Sequence, residues 1–265
     1  MLSYGAHCSI TGTGPSVILL HDLMGPELDY DSLSKLLDKH MRLFQLTLPG
    51  YLKGDPLFSA SPFHYVQWIE ELTQKFDINS FNCIGIGMGG NIALELAARN
   101  PDQIKKLTLL HPWGIQRPSH LPVYARSKPL FKQFIHTPDL YQAWMNRFEA
   151  CLSQDCPEYQ VLSDKLMDIA FDPQRQTQIQ TVFPEMMYPN REMRRTLHRI
   201  HSEVQILWGE DAPWISKQAG LYLESKLQTV KLEILEKCGY FCHIERPNVV
   251  ARHMIQFIKK DTQRI

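Results

Sequence analysis

A strand–turn–helix–strand unit between residues 82 and 114 constrains the fold of this chain more than any other stretch. An apolar strand, Asn82–Ile86, leads into a glycine-rich turn, Gly87–Gly90. A helix follows and ends near Asn100, and Leu107–Leu110 forms the next apolar run. Short, continuous apolar runs are typical of parallel strands that are buried on both faces. The unit therefore predicts a parallel sheet covered by helices.

The turn of this unit carries glycine where a related turn carries a reactive side chain. It resembles the nucleophile elbow of α/β-hydrolases, whose turn follows the pattern G-x-S-x-G. Gly85, Gly87 and Gly89 take the three motif positions, so Gly87 stands in place of the nucleophilic serine. The elbow holds its central residue at positive φ, which strains a residue with a Cβ by roughly 1–3 kcal/mol and strains glycine little. The sequence keeps the turn and lacks the attacking group.

The same glycines also fit a dinucleotide-binding pattern. Gly85, Gly87 and Gly90 match G-x-G-x-x-G between a strand and a helix. That pattern expects an acidic residue about 20 positions later, at the end of the next strand, to bind a ribose. Here the next strand ends at Leu110-His111-Pro112 without an acid, which disfavours nucleotide binding.

Composition excludes several classes of partner. With 265 residues and 44% hydrophobic content, the chain is long enough for one large α/β domain. Its formal net charge of zero gives no electrostatic basis for binding nucleic acid or an acidic membrane. The first residues lack the basic and apolar regions of a signal peptide, and no apolar run is long enough to span a bilayer. We therefore expect a cytoplasmic protein without a nucleic-acid partner or a membrane span.

The cysteines do not indicate a metal site. The chain has six, and their scatter is typical of reduced thiols in the cytoplasm. Cys238, Cys242 and His243 lie close in sequence, but no second pair of ligands at zinc-finger spacing accompanies them. We therefore expect no metal and no cofactor.

Strands and helices alternate up to residue 114 and again after residue 200. Further strands are predicted at Ser16–His21, Leu43–Leu48, Val204–Trp208 and Val230–Leu235, with helices at Tyr30–His40, Ser61–Phe76, Ser216–Leu227 and Val249–Lys260, and a hairpin or extended lead-in at Ser3–Gly14. Residues 115–199 lack strand-like runs and are rich in aromatic and methionine residues, which predicts an inserted helical cap. The expected architecture is one α/β-hydrolase-like domain over residues 1–265. It has a mostly parallel sheet with helices on both faces, a core of residues 1–114 and 200–265, and a cap of residues 115–199.

Two backbone amides are candidates for an oxyanion hole. The loop after the first long strand, His21–Gly25, stands where hydrolases of this fold contribute one amide. The second amide belongs to the residue after the nucleophile. This correspondence assigns the amides of Leu23 and Met88, which do not depend on a catalytic side chain. A strand-end turn that binds no anion is an equally good interpretation.

The two other positions of a catalytic triad are also replaced. In Gly209–Pro213, Ala212 takes the position at which hydrolases commonly place the triad acid, and Asp211 lies one residue earlier. A shift of one residue at a strand end directs a side chain toward the opposite face. The segment from Gly239 to Pro247 is similar to the G-H-F-x-x-x-E-x-P segment that carries the catalytic histidine, and Tyr240 takes the histidine position.

The order of these segments resembles the α/β-hydrolase superfamily over nearly the whole chain. Within that superfamily, several details are similar to the N-myc downstream-regulated family, whose members lack the nucleophile and the acid in the same places. The shared details are His21-Asp22, Pro49-Gly50-x-x-x-Gly54-x-Pro56-x-Phe58, Gly85-x-Gly87-x-Gly89, Gly209-x-x-Ala212-Pro213 and Ser225-Lys226-Leu227. The resemblance implies an enzymatically silent adaptor or regulatory protein.

Two classes of function fit these observations. The first is a catalytically silent pseudo-hydrolase that binds a small molecule under the cap or a protein partner, with Leu23, Gly87, Met88 and Tyr240 as expected ligand contacts. The second is an enzyme that retains the oxyanion hole and works without covalent catalysis, as a lyase, isomerase or decarboxylase. In that enzyme Tyr240 donates a proton, and the candidate helpers are His21, His111 and Asp211. An atypical esterase with a relocated nucleophile is a further alternative.

Overall fold

A mostly parallel sheet forms the centre of the molecule. The computed structural model of the protein describes residues 7–51, 60–116 and 122–260. Within these residues, seven strands join in the order β1-β3-β2-β4-β5-β6-β7. The strands are β1 (His7–Thr11), β2 (Ser16–Leu20), β3 (Arg42–Thr47), β4 (Phe81–Ile86), β5 (Ile104–Leu110), β6 (Glu203–Gly209) and β7 (Val230–Leu235). The parallel sheet expected from the sequence is confirmed.

The first strand differs from the rest in direction. β1 lies at the edge of the sheet and pairs with β3 in antiparallel fashion, while the other neighbouring strands are parallel. The lead-in before Gly14 is therefore an edge strand that pairs with β3 and does not form a hairpin with β2.

Helices cover both faces of the sheet, as predicted. In β2, Ile18 and Leu20 pack into one hydrophobic core, and Val17 and Leu19 pack into a second core on the opposite face. Side chains of a strand alternate between faces, so two buried sets require cover on both sides. The helices are α1 (Pro26–Asp29), α2 (Ser34–Leu37), α3 (Pro62–Lys75), α4 (Met88–Arg99), α5 (Lys128–Phe134), α6 (Pro138–Glu149), α7 (Tyr159–Phe171), α8 (Pro173–Met186), α9 (Arg191–Thr196), α10 (Gln218–Glu224), α11 (Cys242–Glu245) and α12 (Pro247–Lys259).

The predicted helix Tyr30–His40 is wrong in its length. Within these bounds the chain forms the single-turn helix α2, and the other single-turn helix, α1, ends just before Tyr30. The Tyr30 hydroxyl donates to the carbonyl oxygens of Leu19 and Leu46, at 2.7 and 3.0 Å, and so ties this segment to the sheet. The apolar spacing predicted the buried leucines, but these long-range bonds interrupt the continuous helix.

Between β5 and β6, the described residues form helices and no strands. α6 and α8 bring Trp144 and Phe183 together with Phe131 of α5, at ring-centroid distances of 5.0–5.7 Å. These aromatic rings pack mainly on one another and on the loops that follow the strands. They thus cover the carboxyl end of the sheet.

Some predicted features fall outside the described residues: Ser3, Gly54, Pro56, Phe58 and part of the predicted cap, 117–121. Among the residues that are described, no helix is both long and apolar enough to cross a bilayer.

Candidate active site

Gly87 forms the sharp turn between β4 and α4. Its φ of 51° and ψ of −110° place it in the region that glycine adopts without strain. The Gly87 carbonyl oxygen accepts hydrogen bonds from the amides of Gly90, Asn91 and Trp113, which fix the turn from both sides. The positive φ predicted from the motif is observed.

The space beside Gly87 is occupied by two side chains from distant parts of the chain. A Cβ built on Gly87 would lie under 3.0 Å from the Asp22 carboxyl group and from the Tyr240 hydroxyl group. Asp22 follows β2, and Tyr240 follows β7. Carboxyl ends of parallel strands meet at one edge of a sheet, which is where both residues lie. The volume that a nucleophile would take at this elbow therefore holds a carboxyl group and a phenol.

Both predicted oxyanion-hole amides act on a carboxyl group of the protein itself. The Met88 amide donates to Asp22 Oδ1 at 2.7 Å. The Leu23 amide, next to Asp22 in the chain, favours the ionised form of the same carboxyl group and so tends to lower its pKa. In this structure the Met88 amide is therefore already bound to Asp22. In the sequence, Asp22 belongs to the pattern shared with the N-myc downstream-regulated family, and its residue type and position alone do not indicate a chemical role.

Tyr240 completes the hydrogen bonds around Asp22. Its hydroxyl group donates to Asp22 Oδ2 at 2.6 Å and accepts from the Trp113 indole N–H at 2.6 Å. Burial, followed by the charge of Asp22, raises the pKa of Tyr240 well above its usual value. Tyr240 therefore stays a protonated phenol at neutral pH and donates a hydrogen bond to Asp22.

Asp22 is a proton acceptor suited to neutral pH. Burial, and then the nearby charge of Asp29, raises the pKa of Asp22 to about 7, against the opposing hydrogen bonds from Met88, Tyr240 and Leu23. A carboxyl group in this condition exchanges a proton near pH 7, which an ordinary exposed carboxyl group does not.

A second acidic residue supports this arrangement. Asp29 Oδ2 accepts from the Asp22 amide at 2.6 Å, and Asp29 Oδ1 lies 2.9 Å from His243 Nε2. The side chains of Asp29 and His243 are both 0% exposed, so the pair is closed to solvent. The sequence did not indicate that these two residues pair, because they are separated by 214 positions.

The three candidate helpers have other placements. His21 accepts the Leu48 amide at Nε2 and donates from Nδ1 to the Asp22 carbonyl oxygen, at 3.0 and 2.7 Å, so both of its nitrogens are bound to backbone. His111 Nε2 accepts the Gly209 amide at 2.8 Å, and the His111 ring lies 5.0 Å from the Tyr240 ring. Asp211 is exposed, and Ala212 beside it is half-buried.

The neutral histidines predict how stability depends on pH. Burial lowers the pKa of His21 to about 4 and that of His111 to about 3, against about 6.5 in an unfolded chain. Between about pH 6.5 and these lower values, the unfolded chain binds more protons than the folded protein. The two histidines therefore cost no stability above about pH 6.5, and the free energy of unfolding falls as the pH falls below it. Asp22 acts in the opposite sense, because its raised pKa favours the folded state as the pH falls from about 7 to about 4. As the pH falls from about 7.5 to about 5.0, the stability lost through the two histidines exceeds the stability gained through Asp22.

We therefore expect a lower free energy of unfolding at pH 5.0 than at pH 7.5. The variant His111→Gln keeps an acceptor for the Gly209 amide and removes the titration, so the difference between the two pH values should shrink. The measurement is urea unfolding at both pH values, and His201→Gln, at an exposed histidine, is the control. An unchanged difference in His111→Gln would contradict the assignment.

The site is closed in this conformation. Asp22, Met88 and Tyr240 are at most 1% exposed, and the Phe148 ring covers Tyr240 at a centroid distance of 5.6 Å. A cavity of about 470 Å³ lies elsewhere, between α3, α4 and α9. In residues 7–51, 60–116 and 122–260, no group of three or more His, Cys, Asp or Glu side chains is placed to hold a metal ion.

Comparison with known proteins gives consistent results. A family model described as alpha/beta hydrolase fold matches residues 15–247. The chain is 24% identical to mouse monoacylglycerol lipase ABHD6, over 93% of this chain and 76% of that protein. It is 22% identical to a 2-hydroxy-6-oxononadienedioate/2-hydroxy-6-oxononatrienedioate hydrolase of Cupriavidus pinatubonensis, over 95% and 90% of the two chains.

Among solved structures, an esterase from Exiguobacterium antarcticum has a TM-score of 0.81 at 16% identity, covering 96% of this chain and 95% of that one. This likeness concerns the fold alone. The curated relatives contradict the prediction of a catalytically silent regulatory protein, because each of them is named for a hydrolytic activity.

Proposed function

The chain belongs to the alpha/beta hydrolase fold family, and on that premise we propose that it is an ester hydrolase in which Asp22 and Tyr240 act in place of a serine nucleophile. One observation carries the proposal. The Asp22 carboxyl group lies at the apex of the elbow, bound to the Met88 amide and to the Tyr240 hydroxyl group. A proton acceptor and a proton donor therefore meet at the place where this fold has its reactive group.

The proposed reaction is hydrolysis by general acid–base catalysis. The Asp22 carboxylate removes a proton from water, and the water oxygen bonds to the carbonyl carbon of the ester. The carbonyl electrons move to its oxygen, which accepts a hydrogen bond from Tyr240. A protonated Asp22 is a weaker acceptor for the Met88 amide, so this amide becomes available to the same oxyanion. When the intermediate collapses, the alkoxide leaves with the proton from Asp22.

The surroundings of the site favour a neutral, apolar acyl group. Trp113 and Phe148 border Tyr240, and Phe183 and Trp214 pack behind them. The mouse relative is named for monoacylglycerol, which is an ester with an apolar chain. Substrate entry requires Phe148 and Phe183 to move, and we assign that movement to α6 and α8 of the predicted cap.

A second candidate function follows from the exclusion of water. Asp22 and Tyr240 are each 1% exposed, a condition that favours proton transfer next to a carbonyl group over hydrolysis. In that case the same pair moves a proton within the substrate, as in a lyase or an isomerase, and the amides of Leu23 and Met88 stabilise an enolate. Membership of the N-myc downstream-regulated family stays a prediction. It is supported by Gly87 and Ala212, which take the positions of the nucleophile and the acid.

The test is hydrolysis of mono-oleoylglycerol and of p-nitrophenyl butyrate by the wild-type protein in H₂¹⁸O. We expect release of the acid with ¹⁸O in its carboxyl group and no ¹⁸O in the peptide that contains Asp22. Label in Asp22 would show that this carboxylate attacks the ester itself. Absence of hydrolysis with both esters would contradict the ester-hydrolase proposal and would favour the second candidate.

Fluorophosphonate probes should not label the active protein, because Gly87 has no hydroxyl group to phosphonylate. The measurement compares labelling of native and heat-denatured protein, since labelling that survives denaturation is non-specific. A serine that reacts only in the native protein, and whose labelling blocks hydrolysis, would establish a relocated serine nucleophile and overturn the proposed chemistry.

A further inference from the structure

Two buried side chains, Asp29 and His243, form a hydrogen-bonded pair next to the proposed catalytic residue Asp22. Asp29 closes α1 and His243 belongs to α11, and both are buried among apolar residues. Asp29 uses one carboxyl oxygen for the Asp22 amide and the other for the His243 ring. We propose that Asp29 and His243 are positioning residues that hold Asp22 in place for proton transfer. This inference rests on the proposed function.

The hydrogen bonds leave the backbone of Asp22 little freedom. Its amide is bound to Asp29 at 2.6 Å. Its carbonyl oxygen accepts from His21 Nδ1 at 2.7 Å and from the Gly25 amide at 3.0 Å. Both backbone groups are therefore fixed, and the side chain is held from the other end by Met88 and Tyr240. A carboxyl group held in one orientation transfers protons along one direction, which is what general acid–base catalysis needs.

The pair also sets the electrostatic surroundings of Asp22. After burial, the charge of Asp29 is the next cause that raises the pKa of Asp22. The other titratable groups around Asp22 are Tyr240 and Tyr51, which stay protonated, and the buried ring of His21, which stays neutral at pH 7.

Farther out, Arg175 of α8 lies over the Tyr51 ring at 5.0 Å and pairs with Glu27 at 2.9 Å. The Glu27 carboxylate opposes the charge of Arg175. That charge acts on the pKa of His21 and of Tyr51, which it tends to lower. Asp29 is therefore the partner whose replacement changes Asp22 most directly.

The variant Asp29→Asn removes the negative charge at this position and keeps the shape of the side chain. In Asp29→Asn, the side-chain oxygen still accepts from the Asp22 amide, and the new NH₂ group donates to His243 Nε2 once the ring proton moves to Nδ1. His243 Nδ1 has no hydrogen-bond partner in the described structure, so this change of tautomer breaks no existing hydrogen bond. The geometry is kept and the negative charge is lost.

The experiment measures Asp22 directly as well as through activity. Protein labelled with ¹³C at the aspartate carboxyl carbons is titrated by NMR, and the Asp22 signal is identified by its loss in Asp22→Asn. We expect Asp29→Asn to lower the pKa of Asp22 by about one unit, because a like charge has been removed. The acid limb of the pH–rate profile should move by the same amount.

A second pair of variants tests the role of His243. His243→Gln keeps an N–H donor toward Asp29, whereas His243→Leu removes it, so kcat should fall about tenfold in the leucine variant and recover in the glutamine variant with KM unchanged. Equal kcat values in wild type and His243→Leu, or an Asp22 titration that Asp29→Asn does not move, would overturn the inference. The NMR result stands even if the wild type hydrolyses no ester, in which case the proposed function fails by itself.

Discussion

Replacing Gly87 with serine is expected to lower the free energy of unfolding by about 3–5 kcal/mol and to create no serine hydrolase. Two costs add. A Cβ at φ of 51° is strained, and the same Cβ would lie under 3.0 Å from the Asp22 carboxyl group and the Tyr240 hydroxyl group. The new hydroxyl group would also lack a base, since Tyr240 is a protonated phenol. Urea unfolding and p-nitrophenyl ester hydrolysis measure the two effects.

The controls separate backbone strain from steric overlap. Gly14 also has a positive φ, 117°, but a Cβ there would meet its nearest neighbour only at 3.0 Å. Gly14→Ser should therefore cost about 1–2 kcal/mol, mostly from backbone strain, since its one tight contact is with the His40 carbonyl oxygen. The double variant Gly87→Ser with Asp22→Ala should be more stable than the sum of the two single changes predicts, because the group that overlaps is gone. A Gly87→Ser protein as stable as Gly14→Ser, or one that shows burst kinetics and turnover, would contradict this account of the site.

Replacing Asp22 with asparagine is expected to lower kcat/KM for ester hydrolysis by about 10²–10⁴-fold. Asparagine has nearly the same shape, and its oxygen still accepts from the Met88 amide, so the fold should persist. It cannot take a proton from water. The acid limb of the pH–rate profile, expected near pH 7 from the raised pKa of Asp22, should disappear with it. Steady-state kinetics between pH 5 and pH 9 provide the measurement.

Companion variants show whether the loss is specific to this site. Tyr240→Phe removes the donor to Asp22 and should lower kcat/KM about 10- to 100-fold, the usual effect of losing a hydrogen bond to a charged group. Asp211→Asn and Tyr222→Phe change exposed or partly exposed residues of the same types and should leave hydrolysis unchanged. Activity that survives in Asp22→Asn, or that is lost in Asp211→Asn, would move the reacting group away from the elbow.

Features that depend on neighbours in sequence could be predicted. Gly87 sits at positive φ as its motif predicts, because the tight passage from β4 to α4 imposes that conformation locally. The apolar runs of β4, β5 and β6 predicted parallel strands, since a strand buried on both faces requires such a run. The fold class followed from these local patterns, and the protonated state of Tyr240 followed from its residue type.

The chemistry of the site was decided by tertiary structure. Asp22 and Tyr240 are 218 positions apart, and Asp29 and His243 are 214 apart, so no spacing in the sequence joins them. The missing serine, acid and histidine predicted a site without triad chemistry, but a carboxyl group from the loop after β2 fills the space beside Gly87. Burial then changes what that group can do, because the pKa of a carboxyl group depends on the charges and donors that surround it in space. The sequence determined the turn and the sheet, and the packing of distant loops onto that turn determined which side chains meet there.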